Sequence, residues 1–182
     1  MSGNVGDQRN WLEKLGDKIP GYSGYVDRER RRDIDKLQRD HLADQVRAIK
    51  GPANDVMREL SSGGRLFEVG PVDRILKKLD QLENRIRFAS YGYTGFFDVV
   101  KIHAEQLDAI YRFDLALVEQ VDKLDAKVRE LKAQSATADG LKASASEIDT
   151  FLDELERTFD ARQGAIGQTG QDVPPGRPLF NG

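Results

Sequence analysis

The 182-residue chain has no cysteine, which removes disulfides, thiolate nucleophiles and thiolate metal sites together. Histidine is almost as scarce. His41 and His103 are the only two, and the residues three positions before them are Gln38 and Val100. The Glu-x-x-His pairs that build di-iron sites in helical bundles are therefore missing, and the reading expects no metal and no cofactor. No apolar run approaches the roughly 18 residues that read as a membrane span, so no transmembrane segment is expected. The opening MSGNVGDQRN lacks the apolar stretch of a secretory signal, and with the lack of cysteine this gives the expectation of a cytoplasmic protein. Strand signals are nearly absent: RLFEV at 65–69 alternates briefly but has no second strand to pair with.

Charge and helical periodicity are what the chain has in quantity. Charged residues make up 32%, hydrophobic residues 38%, and mean hydropathy is -0.59, the balance of long amphipathic helices with broad solvated faces. The net charge of -3 conceals an asymmetry. Residues 1–103 carry 19 basic and 16 acidic groups, whereas residues 104–160 carry 7 basic and 14 acidic groups. The acidic half can pack on the basic half or face a basic partner, although screening over about 10 Å makes this a weak orienting force.

Apolar spacing supplies the fold. Leu107, Ile110, Asp114, Leu117, Val121, Leu124, Val128 and Leu131 alternate three- and four-residue steps, the seam of a helix over 104–137. Ile102 and Leu107 are placed for a hydrophobic staple around His103, with Gln106 able to bond back; a start near Asp98 is the alternative. A second helix is expected from Pro71 to about Ser90, with Pro71 suited to a first turn and Val72, Ile75, Leu79, Leu82, Ile86 and Ala89 as its stripe. A third spans about 141–163, entered through Asp139-Gly140. The first long helix begins near Asp27 and runs to Lys50, where Gly51-Pro52 stops or kinks it, and Val56, Met57 and Leu60 mark a further short helix. Asn10 to Lys18 forms a short amphipathic helix. Together these give an all-α protein, an antiparallel bundle of about four long helices, over residues 10–163. Residues 1–9 are expected to be flexible. Residues 164–182 have the Gly, Gln and Pro content of a disordered tail, in which VPPGRPLF carries a Pro-x-x-Pro spacing at Pro175 and Pro178.

One motif occurs twice. Residues 21–27 read GYSGYVD and residues 92–98 read GYTGFFD. A glycine-rich loop opening into a helix can cradle an anion, but Asp27 and Asp98 stand where the helices begin and fill the capping position with negative charge. The reading favours two structural corners, with glycines at positive φ and aromatics covering the bundle end, and expects the two to lie side by side.

Four groups of residues are candidates for function. The run RERRRDIDK places Arg28, Arg30, Arg31 and Arg32 together as an anion site, but Asp27, Glu29, Asp33 and Asp35 interleave with them, as on a solvated face. Trp11, Tyr22, Tyr25, Tyr93, Phe96 and Phe97 are candidate anchors for a partner. Asp114 occupies a seam position where leucine is expected. A buried carboxylate is either paired or has a raised pKa, and arginines of another helix, such as Arg85 or Arg87, are candidate partners; the alternative is that the seam is exposed there. His103 and His41 are further candidates for buried polar groups. No set of these residues forms a recognisable catalytic constellation. The expectation is a non-enzymatic interaction or scaffold module that binds a protein partner or itself, rather than nucleic acid. The alternatives are weak peripheral binding to an anionic membrane or nucleic acid through Arg28–Arg32, and a small-ligand or enzymatic cavity near Asp114.

Overall fold

The computed structural model describes residues 5–89, 95–99 and 101–169, with side chains from Asn10 to Gln168. Among these residues there are five α-helices and no strand: α1 (Val5–Lys18), α2 (Arg31–Ser62), α3 (Val69–Arg87), α4 (Ala104–Gln134) and α5 (Ala138–Thr169). Short 3-10 turns at Arg28–Arg30, Leu66–Glu68 and Gly95–Phe97 join them. The bundle is built from two helical hairpins, α2 with α3 and α4 with α5, laid side by side so that α2 touches α4 and α3 touches α5. Ion pairs fix the directions. Lys50 pairs with Asp80 and Arg87 with Asp44, so α2 and α3 are antiparallel. Lys78 pairs with Asp149 and Arg85 with Asp160, so α3 and α5 run in the same direction. The shorter α1 packs along α4.

Each long helix buries a continuous seam. In α3 it is Val72, Ile75, Leu79, Leu82 and Ile86; in α4 it is the expected series through Asp114; in α5 it is Leu141, Ala145, Ile148, Leu152, Leu155, Phe159, Arg162 and Ile166. Such alternation of three- and four-residue steps keeps a stripe facing the neighbours along the whole helix. α4 opens as the sequence suggests at its later start: Gln106 Oε1 accepts a bond from the His103 backbone N–H at 3.1 Å, closing the first turn.

Three boundaries differ from the sequence reading. Gly51-Pro52 neither stops α2 nor separates a second helix: Leu42, Val46, Ile49, Ala53, Val56 and Leu60 continue the stepped spacing through the proline, and all are buried. Pro52 removes the bond to the Ala48 carbonyl, but Ala48 lies on the exposed side of the helix, away from the buried stripe that holds the helix together. α5 runs on to Thr169 because Arg162 and Ile166 extend its seam, so residues 164–169, expected in the tail, are helical. Val5 to Asn10 is helical too, as the start of α1. The Pro-x-x-Pro segment lies outside the described residues. No helix among the described residues is long and apolar enough to cross a membrane.

Candidate functional site

The repeated motif is where the chain turns into each hairpin. In its first copy Gly21 and Gly24 adopt φ of 86° and 77°, left-handed values that only glycine adopts without strain. Gly24 has a second reason to be glycine: a Cβ there would stand 2.6 Å from both the Leu12 side chain and the Tyr111 hydroxyl. Asp27 accepts from the Glu29 N–H at 3.1 Å and caps the 3-10 turn that leads into α2. The second copy does not repeat this geometry, since its 3-10 turn, Gly95–Phe97, falls inside the motif and α4 starts only at Ala104. The two copies do lie against each other. The Tyr25 and Phe96 rings meet edge to face at 5.6 Å, and Tyr25 also stacks on Tyr111 at 5.9 Å.

This aromatic cluster is interior. Tyr22, Tyr25, Phe96 and Phe97 are all buried, which corrects their expected role as exposed anchors: these four rings lie under the bundle end, where area is removed from water. Trp11 is half-buried between the cations of Lys14 and Arg112. Tyr93 lies outside the described residues.

The arginine run divides. Arg31 is buried at 2% exposure. Its guanidinium donates to the carbonyls of Tyr25 (2.8 Å), Phe96 (3.2 Å) and Val99 (2.6 Å), clasping both copies of the motif. Burial, with repulsion from Arg28, lowers its pKa. Arg32 bonds Asp98 of the second copy at 3.0 Å and lies over the Phe97 ring. Only Arg28 and Arg30 are left exposed and without a side-chain ion pair among the described residues, so the four do not form one anion site.

Asp114 is fully buried, as its seam position suggests, and it has a partner. That partner is Arg162, not Arg85 or Arg87. Arg85 reaches Glu156 and Asp160 on α5 and Arg87 reaches Asp44 on α2, all near the surface. Arg162 Nε donates to Asp114 Oδ1 at 2.5 Å, and Nη2 donates to Tyr25 Oη at 2.9 Å and to Asp35 Oδ1 at 3.0 Å. Tyr22 and Tyr25 hydroxyls donate to Asp114 Oδ2 at 2.6 and 2.9 Å. Arg39 closes the far end, donating to Asp35 Oδ2 at 2.9 Å and to the Arg87 carbonyl at the end of α3 at 2.9 Å. Two arginines thus meet two aspartates in a charge-neutral chain running from α4 through α5 and α2 to α3. Burial and the Asp114 charge raise the pKa of Tyr22 and Tyr25 well above the usual phenol value, and burial raises that of Tyr111.

The histidines stand apart from this chain. His103 is exposed at the start of α4, eleven residues before Asp114 and therefore roughly 16 Å from it along the helix. His41 is half-buried, its Nε2 has no hydrogen-bond partner among the described residues, and burial lowers its pKa against the opposing pull of Asp122 and Asp44. No cluster of three potential metal ligands occurs among the described residues. The surface depressions beside Met57, Pro71, Ser144 and Phe151 are not lined by Asp114, Arg162 or the tyrosines.

The sequence reading missed Arg162, Asp35 and Arg39. It also missed the surface feature opposite them. At the far end of the bundle, the turn between α2 and α3 holds Phe67 fully exposed (104%) and Leu66 at 62%. Arg65 ties this turn to the end of α4 by pairing with Glu68 and donating to the Ser135 carbonyl at 2.6 Å. No family model, curated protein or solved structure matches the chain, so the geometry carries the functional reading.

Proposed function

We propose that the protein is a non-enzymatic protein-interaction module, a rigid helical bundle that presents the Leu66-Phe67 turn as its contact. The observation that carries this reading is Phe67, wholly exposed at the tip of a turn that Arg65 ties to the end of α4. A large aromatic side chain in water forgoes about 1.5–3 kcal/mol of burial. Held on a turn tied to α4, it loses less freedom on binding, and Phe, with Tyr and Trp, dominates interface energetics through the area it buries. The sealed polar chain supports the same assignment. Asp114 has both oxygens engaged by buried donors, an arrangement that fastens helices rather than meeting a substrate.

A photo-crosslinking amino acid at position 67, in the source cell, tests the reading. A discrete crosslinked species is expected at position 67 and none at the exposed position of Glu119. Equal, diffuse crosslinking at both positions would remove the basis for it.

A further inference from the structure

The seam between α3 and α5 repeats every seven residues. Lys78 pairs with Asp149 and Asp153, and Arg85 pairs with Glu156 and Asp160. In both rungs one cation of α3 is held by two carboxylates of α5, four residues apart. One rung nearer the start of both helices, the same register sets Pro71 against Lys142 and Ser146. A cation and a hydroxyl stand there in place of the two carboxylates. That rung is a cleft of about 460 Å3 whose lining includes Gly70, Pro71, Arg74, Lys142, Ser146 and Asp149. We infer that it binds a single phosphate group, as inorganic phosphate or a small phosphomonoester, held between Arg74 and Lys142 where the other rungs hold their carboxylates. Such a site is additional to the contact at Phe67 and does not depend on it.

Charge identifies the ligand. Arg74 and Lys142 reach the cleft from opposite helices, and neither has an ion pair among the described residues. The one carboxylate in the lining, Asp149, is taken by Lys78, and Asp73 beside Arg74 is taken by Lys77. No side chain caps α3 and its first turn holds no acidic residue, so Gly70 brings the positive end of the helix to the cleft without a capping carboxylate. An arginine fork, a lysine point charge and a serine hydroxyl are donors suited to phosphate oxygens. A phosphomonoester carries close to two negative charges at neutral pH, which is what α5 supplies in each of the other two rungs. Further along the seam Asp153, Glu156 and Asp160 repel a longer polyanion, so the cleft fits one phosphate rather than a nucleic-acid strand.

Titrating the isotope-labelled full chain with inorganic phosphate, followed by 1H–15N NMR at constant ionic strength, tests the site. Saturable shifts confined to residues 69–74 and 141–147 are expected, and acetate at the same ionic strength is expected to give none. Arg74→Gln and Lys142→Gln are each expected to weaken binding at least about 10-fold, the loss of one charge-assisted hydrogen bond. Lys142→Asp combined with Ser146→Asp rebuilds the carboxylate pair of the other rungs. It is expected to abolish binding and keep the wild-type melt, because both positions are exposed. Asp149→Asn removes the negative charge from the lining and is expected to tighten binding. Glycerol 3-phosphate in a parallel titration separates the two sources: tighter binding than inorganic phosphate assigns the site to a phosphomonoester, and weaker binding assigns it to phosphate itself. No saturable shift with either probe, shifts spread over exposed cations elsewhere, or a response unchanged in Arg74→Gln and Lys142→Gln would overturn the site. Capture by phosphatidic acid vesicles with no response to either soluble probe would overturn it as well.

Discussion

Replacing Arg162 with methionine tests the buried chain at its centre. Arg162 is fully buried and is the residue through which Asp114 on α4 meets Asp35 on α2. Methionine fills much of the same volume but carries no charge, so Asp114 is left buried with only the two tyrosine hydroxyls. Removing one partner of a buried ion pair costs about 3–5 kcal/mol, mostly from the charge left behind. For a chain of this length each kcal/mol shifts Tm by about 2–4 °C, so Arg162→Met is expected to melt roughly 6–20 °C below the wild type when followed by circular dichroism. The signature that separates charge from packing is the second change. In Arg162→Met with Asp114→Asn the stranded charge is gone, and the double variant is expected to be more stable than Arg162→Met alone. Urea titration gives the coupling energy directly. A loss below about 1 kcal/mol for Arg162→Met, or simple addition of the two single losses, would refute the claim that the pair is electrostatically joined.

Other consequences follow from neighbouring residues. Gly24→Ala places a Cβ at φ of 77° and 2.6 Å from Leu12 and Tyr111; strain and overlap together are expected to cost about 2–5 kcal/mol in denaturant titration. Tyr25→Phe, which puts the phenylalanine of the second copy into the first, removes the hydroxyl from Asp114 and Arg162 and is expected to cost about 1–3 kcal/mol. Pro52→Ala restores a donor inside α2 at a half-exposed site and is expected to stabilise the fold by about 1–3 kcal/mol. Because the folded-state pKa values of Tyr22, Tyr25 and Tyr111 lie above the unfolded value, their stabilisation is whole below about pH 10 and declines as pH rises toward the folded values. Absorbance at 295 nm is therefore expected to show these phenols ionising late, together with loss of helix; ionisation near pH 10 with helix intact would contradict their burial.

The long helices were legible because their seams are simple. The steps from Leu107 to Leu131 and from Val72 to Ile86 place their helices with little help from context. Asp114 was legible as a buried carboxylate for the same reason, as a polar residue on an apolar stripe. The partner was legible in principle too. Leu155, Phe159, Arg162 and Ile166 keep the seam spacing, as do Arg31, Asp35, Gln38 and Leu42 in α2, so each polar residue marks a buried position. Reading the third helix as ending near 163 left Arg162 at the edge of the expected tail, and reading Arg31 within a charged run hid its burial. Pro52 misled because local preference predicts a break, whereas the buried stripe on either side outweighs one lost bond on the exposed face. The aromatics of the repeated motif could not be assigned to interior or surface, because a turn has no period to say which way its side chains face. Leu66 and Phe67 carry no sequence mark of exposure for the same reason.

Amide hydrogen exchange, on the free chain and on its complex with the partner captured at position 67, tests both ends of the molecule at once. Residues 31–35, 111–114 and 159–162, joined by the buried chain, are expected to exchange slowly and alike in both states. Leu66 and Phe67 are expected to gain protection in the complex. Protection rising instead over 28–30, with 66–67 unchanged, would contradict the account and move the contact to the opposite end of the bundle.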